Sequence, residues 1–280
     1  MIDNPLVDEL IDIALREDIG DGDHTTLSCI PHDLQGQARL LVKEDGILCG
    51  VEVVKKIYQK FDPELQIKIL IPDGTPIRKG DVAFTVSGKT ISILQTERVA
   101  LNFMQRLSGI ATQTQEYVKL LEGTKTRVLD TRKTTPGMRL LEKYAVRMGG
   151  GLNHRIGLYD MILIKDNHID YAGGVTAAIT KTKEYLKQHR KNLELVVEAR
   201  TFDEIREILQ FDVLRILIDN FTPEQTKEAI RIINGKCQTE SSGGINKETI
   251  RSYAESGVDF ISVGALTHQI HSLDLSLKAF

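Results

Sequence analysis

The stretch LELVVEARTFDEIREILQFDVLRILIDN, residues 193–220, decides the fold. Leu195 to Glu198 is a short apolar run closed by an acid, Val213 to Asp219 is a second, and between them Ile205, Ile208 and Leu209 recur at helical spacing. Strand, helix and strand in that order predict a parallel pair joined by a right-handed crossover. The same texture continues on both sides. Arg127 to Asp130, Met161 to Lys165, Cys237 to Ser242 and Asp259 to Gly264 read as four further strands. Helical periodicity fills stretches between them, with Leu140, Leu141, Tyr144, Ala145 and Met148 in one and Ala229, Ile230 and Ile233 in another. The repeats share no sequence similarity, so this is a parallel sheet with crossover helices and not a solenoid.

Upstream the texture differs. Leu6, Leu10, Ile13 and Ala14 predict a helix over 5–17, with Asn4 as cap and Pro5 in the first turn. A polar loop at 18–26 follows, and it lacks the ligand spacing and closing Glu of an EF-hand. Strands at 38–43, 66–71 and 82–87 are separated by Asp45-Gly46, Asp73-Gly74 and Gly88-Lys89 turns, with a helix at 52–61 among them, which reads as an α+β module. A helix at 97–108 sets Val99, Ala100, Phe103, Met104 and Leu107 on one face and Arg98, Asn102 and Gln105 on the other, and Gly109 is read as its stop.

With 280 residues, 41% hydrophobic content and a net charge of -3, the chain has ample core and is not disordered. No apolar run approaches the roughly 18 residues of a membrane span, and the acids in MIDNPLVDEL do not resemble a secretory leader. Three scattered cysteines, Cys29, Cys49 and Cys237, suit a reducing compartment. A soluble, cytoplasmic protein is therefore expected. The balanced charge disfavours a nucleic-acid surface. Residues 127–165, however, hold eight bases and three acids, a local +5.

The strand ends carry residues that an apolar core would not choose. Asp130, Arg132 and Lys133 follow the first, Lys165 and Asp166 close the second, and Glu198 the third. Asp219 and Asn220 end the fourth, Ser242, Gly243 and Gly244 the fifth, and Gly264 the sixth. In a βα barrel such ends share one rim, where active sites are built. The turns SSGG at 241–244 and VGA at 263–265 precede expected helices and suit phosphate. Bases beside such turns point to anionic, phosphorylated substrates. Glu198 and Asp219 suit either a divalent cation or a developing positive charge. There is no Walker A loop and no GxGxxG fingerprint, which disfavours nucleotide hydrolysis and hydride transfer.

DTRKTTPGMR at 130–139, GGGLNHRIGLYDMILIKDNHI at 149–169 and ESSGGI at 240–245 resemble quinolinate phosphoribosyltransferase, also called carboxylating nicotinate-nucleotide pyrophosphorylase. EDIGDGDHTT near the N-terminus, ERVALNFMQRLSGIAT at 97–112 and SVGALTHQ at 262–269 extend the resemblance almost end to end. It implies an α/β protein: an N-terminal α+β sandwich domain, 1–112, then an incomplete α/β barrel of fewer than eight strands, 113–269. Residues 270–280 are a candidate to pack back on the first domain.

The implied reaction joins quinolinate and 5-phosphoribosyl 1-diphosphate to give nicotinate mononucleotide, diphosphate and carbon dioxide in NAD synthesis. The resemblance also implies a homodimer, or a higher oligomer built on it, with Arg98 contributed across the interface. Arg132, Arg155 and neighbouring His154 would take the quinolinate carboxylates, with Thr131 beside them. Lys133 and Lys165 would meet the substrates' anionic groups, and Glu198 and Asp219 the ribose and its magnesium. These four are the implied catalytic residues. Ser242, Gly243 and Gly244 with Val263, Gly264 and Ala265 would hold the 5-phosphate. Magnesium is expected mainly through the diphosphate substrate, with no metal site of the protein's own. His154 and His168 are candidates for proton transfer or for fixing loops. Two rival readings are a lyase with Lys165 as Schiff base and a non-catalytic binder of a small oxyanion.

Overall fold

A computed structural model describes residues 1–280. In chain order the elements are α1 (Pro5–Ile19), α2 (His24–Cys29), β1 (Gln35–Val42), β2 (Gly46–Ile47), α3 (Val51–Phe61), β3 (Gln66–Ile69), β4 (Pro76–Ile77), β5 (Val82–Lys89), α4 (Thr90–Leu120), β6 (Arg127–Leu129), α5 (Arg139–Met148) and β7 (Ile162–Ile164). There follow α6 (Asp166–Ala172), α7 (Val175–Gln188), β8 (Leu195–Ala199), α8 (Phe202–Ile208), β9 (Arg215–Asp219), α9 (Pro223–Ile233), β10 (Gln238–Ser242), α10 (Ile250–Glu255), β11 (Phe260–Ser262), α11 (Ala265–His268) and β12 (Leu275–Ala279). No helix is long and apolar enough to cross a membrane.

Two compact units result. One comprises Met1–Glu116, Lys133–Gly151 and Leu266–Phe280, the other Tyr117–Arg132 and Leu152–Ala265. The units therefore do not follow a single cut along the chain, because α5 and the loop before it group with the N-terminal residues. Two polar ties join α5 to the rest of that unit. Tyr144 on α5 donates to Asp73 at 2.9 Å, and Glu142 accepts from Arg106 on α4.

The first unit is built on an antiparallel sheet in the order β12-β1-β5-β3, with β2 and β4 as a separate two-stranded ribbon. In β1, Ala38, Leu40 and Val42 are buried. They share a core with Phe84, Val86, Leu275 and Leu277 and with residues of α3 and α4. The C-terminal strand closes this sheet, with Leu40 opposite Leu277. Asn4 caps α1 by accepting from the Leu6 amide, and Asp23, in the acidic loop, caps α2 by accepting from Thr26.

The stop expected at Gly109 is absent, and α4 runs from Thr90 to Leu120. Gly109 serves packing instead. A Cβ there would run into the carbonyl of His271, so glycine lets the C-terminal segment lie against the helix. Gln105 supports the same contact by donating to the Leu275 carbonyl at 3.0 Å.

The second unit carries the six expected strands as one parallel sheet in the order β6-β11-β10-β9-β8-β7. Both β6 and β7 are edges, so the α/β barrel is open and incomplete. Side-chain alternation sorts its two faces. Leu195, Val197 and Ala199 of β8 and Ile216 and Ile218 of β9 pack with Ile179, Ile205 and Ile208 of the helices. Val196 and Leu217 face the other way and cluster with Leu163. By the same period of two, Glu198 shares the Val196 face, Asp219 and Arg215 the Leu217 face, and Ser242 the face of Glu240. That inner face leads to the rim.

Candidate active site

The rim of the second unit begins after β6. Asp130 is fully buried, and its carboxylate accepts from Asn153 Nδ2 at 2.6 Å and from the His154 amide at 2.8 Å. Leu152 makes a parallel bridge to Leu129, so residues 152–155 run beside the strand that ends in Thr131 and Arg132. His154 and Arg155 are both nearly buried. Burial pulls Arg155 below the usual arginine range, and the Arg132 guanidinium pulls it further, partly offset by Asp160. Two guanidiniums are thus gathered close enough to feel each other. Asp160 fixes the following turn by accepting from the Ile156 and Gly157 amides at 2.7 and 2.8 Å.

The next strand ends place a cation beside two carboxylates. Lys165, after β7, has its Nζ 3.7 Å from Glu198 Oε2. Glu198 is 4% exposed and accepts from the Asp166 amide at 3.1 Å. Burial pushes its carboxyl up. The Asp166 amide and Lys165 pull against this, Asp219 and Asp166 add to it, and the net shift is upward. At the end of β9, Asp219 accepts from Ser242 Oγ at 2.5 Å and from Asn220 Nδ2 at 2.6 Å. His168 has a local duty: its Nδ1 accepts from the Lys165 amide at 2.9 Å in the capping box of α6.

The two small-residue turns differ from each other. VGA leads directly into α11 at Ala265, as expected. SSGG does not open a helix, since α10 begins only at Ile250. Its glycines serve the turn itself. Gly243 has φ +98, and a Cβ there would strike the Asn220 side chain, so the ends of β9 and β10 approach closely through it. Ser242 returns the contact by accepting from the Asn220 amide through its carbonyl at 3.0 Å.

Eight of the expected residues, Arg132, Lys165, Glu198, Asp219, Ser242, Gly243, Val263 and Gly264, lie at strand ends of this unit, together with Thr131 and, flanking them, Gly244 and Ala265, while His154 and Arg155 lie in the loop that runs beside β6. Lys133 and Arg98 belong to the first unit. Arg98 is exposed on α4. Lys133 sits in a braced loop: its carbonyl accepts from Thr267 Oγ1 at 2.7 Å, and Arg106 NH2 donates to Thr135 Oγ1 at 2.7 Å. Arg106 also donates through Nε to the fully buried Glu142 at 2.9 Å.

Sequence reasoning missed a polar group inside the barrel. Arg215 NH1 donates to Glu240 Oε2 at 2.7 Å, Ser262 Oγ donates to Glu240 Oε1, and Arg215 lies 4.1 Å over the Phe260 ring. His154 Nε2 is 3.5 Å from Glu240 Oε2. Burial pushes Glu240 up, but His154, Arg215 and Ser262 outweigh it and hold the carboxyl below the usual range. The signal was a lone arginine inside the apolar run of β9 and an acid opening ESSGGI.

The chain is similar to known proteins along nearly its whole length. Residues 23–108 match the family described as "Quinolinate phosphoribosyl transferase, N-terminal domain", and residues 110–278 match its "C-terminal domain". A chloroplastic nicotinate-nucleotide pyrophosphorylase [carboxylating] of Arabidopsis thaliana is 44% identical, over 96% of this chain and 81% of its own length. A probable enzyme of the same name from Bacillus subtilis is 40% identical, over 96% and 92%. The solved structure of the nicotinate-nucleotide pyrophosphorylase from Francisella tularensis superposes with a TM-score of 0.94 at 41% identity, covering 100% of this chain and 98% of that one. By family match at both halves and by identity along nearly its whole length, the chain belongs to the quinolinate phosphoribosyltransferase family.

Proposed function

We propose that this chain transfers the phosphoribosyl group of 5-phosphoribosyl 1-diphosphate to the ring nitrogen of quinolinate and decarboxylates the product to nicotinate mononucleotide, a step of NAD synthesis. Beyond family membership, the observation that carries the reading is the Arg132–Arg155 pair on the rim that holds Lys165, Glu198 and Asp219. A buried guanidinium beside a half-buried one is repelled by it, and an anion that joins them relieves the repulsion. Adjacent carboxylates of a pyridine ring fit that need through planar, bidentate hydrogen bonds. The turns at Ser242–Gly244 and Val263–Ala265 take the 5-phosphate, and Thr131 borders the carboxylate site.

The chemistry follows from the charges. As the bond from ribose C1 to the diphosphate oxygen breaks, positive charge grows on the sugar and negative charge on the leaving group. Glu198 and Asp219 favour the first, and Lys133 and Lys165 the second, each preorganised group being worth roughly 3 kcal/mol. The ring nitrogen then bonds to C1 and becomes quaternary. It stabilises the electron pair left at C2 as carbon dioxide departs, and a proton from water completes the product. This demands positioning more than a strong acid or base.

No group of three or more His, Cys, Asp and Glu side chains is gathered for a metal. Two carboxylates, Glu198 and Asp219, suit magnesium that arrives on substrate phosphates, since that ion keeps few protein ligands. Bound there, magnesium neutralises diphosphate charge. We further propose a homodimer in which exposed Arg98 reaches the partner's quinolinate. Mixing Arg98→Ala with Lys165→Ala subunits then regains about a quarter of native activity, one intact site in each mixed dimer; no recovery removes the shared site. Three free thiols, one of them exposed, favour a reducing, cytoplasmic setting.

The deciding experiment supplies quinolinate or nicotinate with magnesium and 5-phosphoribosyl 1-diphosphate, and follows diphosphate and carbon dioxide. Equal release of both from quinolinate alone is expected. Turnover of nicotinate without carbon dioxide, or binding of quinolinate without turnover, overturns the proposal.

A further inference from the structure

The rim arginine that would clamp quinolinate is seated on a chain of polar contacts that begins deep in the barrel. The Arg155 amide donates to His154 Nδ1 at 2.7 Å. A nitrogen that accepts a backbone hydrogen bond carries no proton, so the neutral ring holds its proton on Nε2. That nitrogen lies 3.5 Å from Glu240 Oε2. Glu240 is itself held by Arg215 at 2.7 Å and by Ser262. Arg215 in turn donates to Gln238 Oε1 through Nε and NH2, at 3.1 and 2.9 Å. Asp130 pins the same segment from outside by accepting from the His154 amide and from Asn153.

Beyond His154 and Arg155, every member of this chain is placed by a strand. Arg215 opens β9, Gln238 and Glu240 alternate on β10, and Ser262 ends β11, all on the inner face. Buried ionic groups are costly and are often no more stabilising than apolar packing. Their presence here calls for another return, and the far end of the chain supplies it: the peptide of a substrate-binding arginine.

We infer that Glu240 is a positioning residue for quinolinate binding: it holds His154 in the Nε2–H tautomer, and His154 Nδ1 then fixes the peptide that aims Arg155. His154 Nε2 faces Glu240 while Nδ1 takes the Arg155 amide, which makes the histidine a brace for Arg155. The inference rests on the proposed reaction, but its first test does not.

That test is the ¹⁵N spectrum of the histidine rings in the ligand-free chain at pH 8, with the His154 signal assigned by its loss in His154→Gln. A ring protonated at Nε2 is expected. A ring protonated at Nδ1 overturns the inference whether or not the chain turns over quinolinate. The second test is kinetic. Glu240→Ala raises the KM for quinolinate roughly tenfold, the loss expected when a buried polar ring is left without its charged neighbour, and leaves kcat and the KM for 5-phosphoribosyl 1-diphosphate unmoved. Glu240→Gln keeps an acceptor oxygen and recovers most of the affinity. An equal rise in both KM values, or an unchanged KM for quinolinate in the folded variant, marks Glu240 as merely structural. Should Glu240→Ala fail to fold, the spectrum and Glu240→Gln decide.

Discussion

Glu198 and Glu240 lie in the same parallel sheet, on β8 and β10, and are 4% and 0% exposed. Their chemistry is opposite. Glu198 has one amide at 3.1 Å and one ammonium at 3.7 Å, while Asp219 repels it, and burial leaves its carboxyl raised. Glu240 has a guanidinium at 2.7 Å, a serine hydroxyl and a histidine, which overcome burial and leave it lowered. The fold completes the partners of one and leaves the other short of positive charge. A buried carboxylate of the second kind is poised for a cationic ligand or transition state, and one of the first kind holds other groups still.

The comparison is most exposed to test at Glu198. Glu198→Gln is expected to lower kcat/KM by about 10²–10³-fold, while its melting temperature stays level or rises, because the folded chain no longer holds an under-compensated charge. A large drop in melting temperature would erase the distinction. Glu240→Gln should do the reverse and cost about 3 kcal/mol of stability in urea titrations at neutral pH, since Arg215 loses its anion.

The two residues also respond oppositely to pH in the ligand-free chain. Glu198 is raised above its ordinary 4.5, so its contribution is full below that value and is lost as pH rises through the folded pKa. Glu240 is lowered, so its contribution is present above 4.5 and disappears as pH falls through the folded pKa. The melting-temperature gain of Glu198→Gln should therefore grow on going from about pH 4 to 7, and the deficit of Glu240→Gln should shrink below about pH 4. The smallest effect is Ser262→Ala. It removes one donor from Glu240 and should cost about 1 kcal/mol with turnover unchanged; a cost as large as that of Glu240→Gln would make the hydroxyl an equal partner of Arg215.

Glu198 was legible from sequence and Glu240 was not, for a physical reason. A charge at the end of an apolar run announces itself, and the parallel architecture gathers all such ends on one rim. A charge within a short polar strand such as QTESS acquires meaning only when register sets Ser241 against Ile218 and carries Arg215 to the same inner face. Gly109 shows the complementary problem. Locally it reads as a helix stop, and only the approach of His271, far along the chain, shows why glycine is needed inside α4. Likewise the SSGG turn depends on Asn220 from the neighbouring strand, which no local reading supplies. Residues 133–151 group with the N-terminal residues, and their polar partners there, Asp73 and Arg106, are both distant in sequence.

The pairing of Leu40 with Leu277 also sets a clock for biosynthesis. On a ribosome adding about 5–20 residues per second, β1 waits roughly 10–50 s for β12. During that interval β5 can cover one side of β1, while the other side shows open amides and carbonyls. The parallel sheet of the second unit, whose last strand ends at Ser262, has all its strands made earlier. The nascent chain thus finishes its oldest sheet last, and that late edge is where a chaperone would protect it.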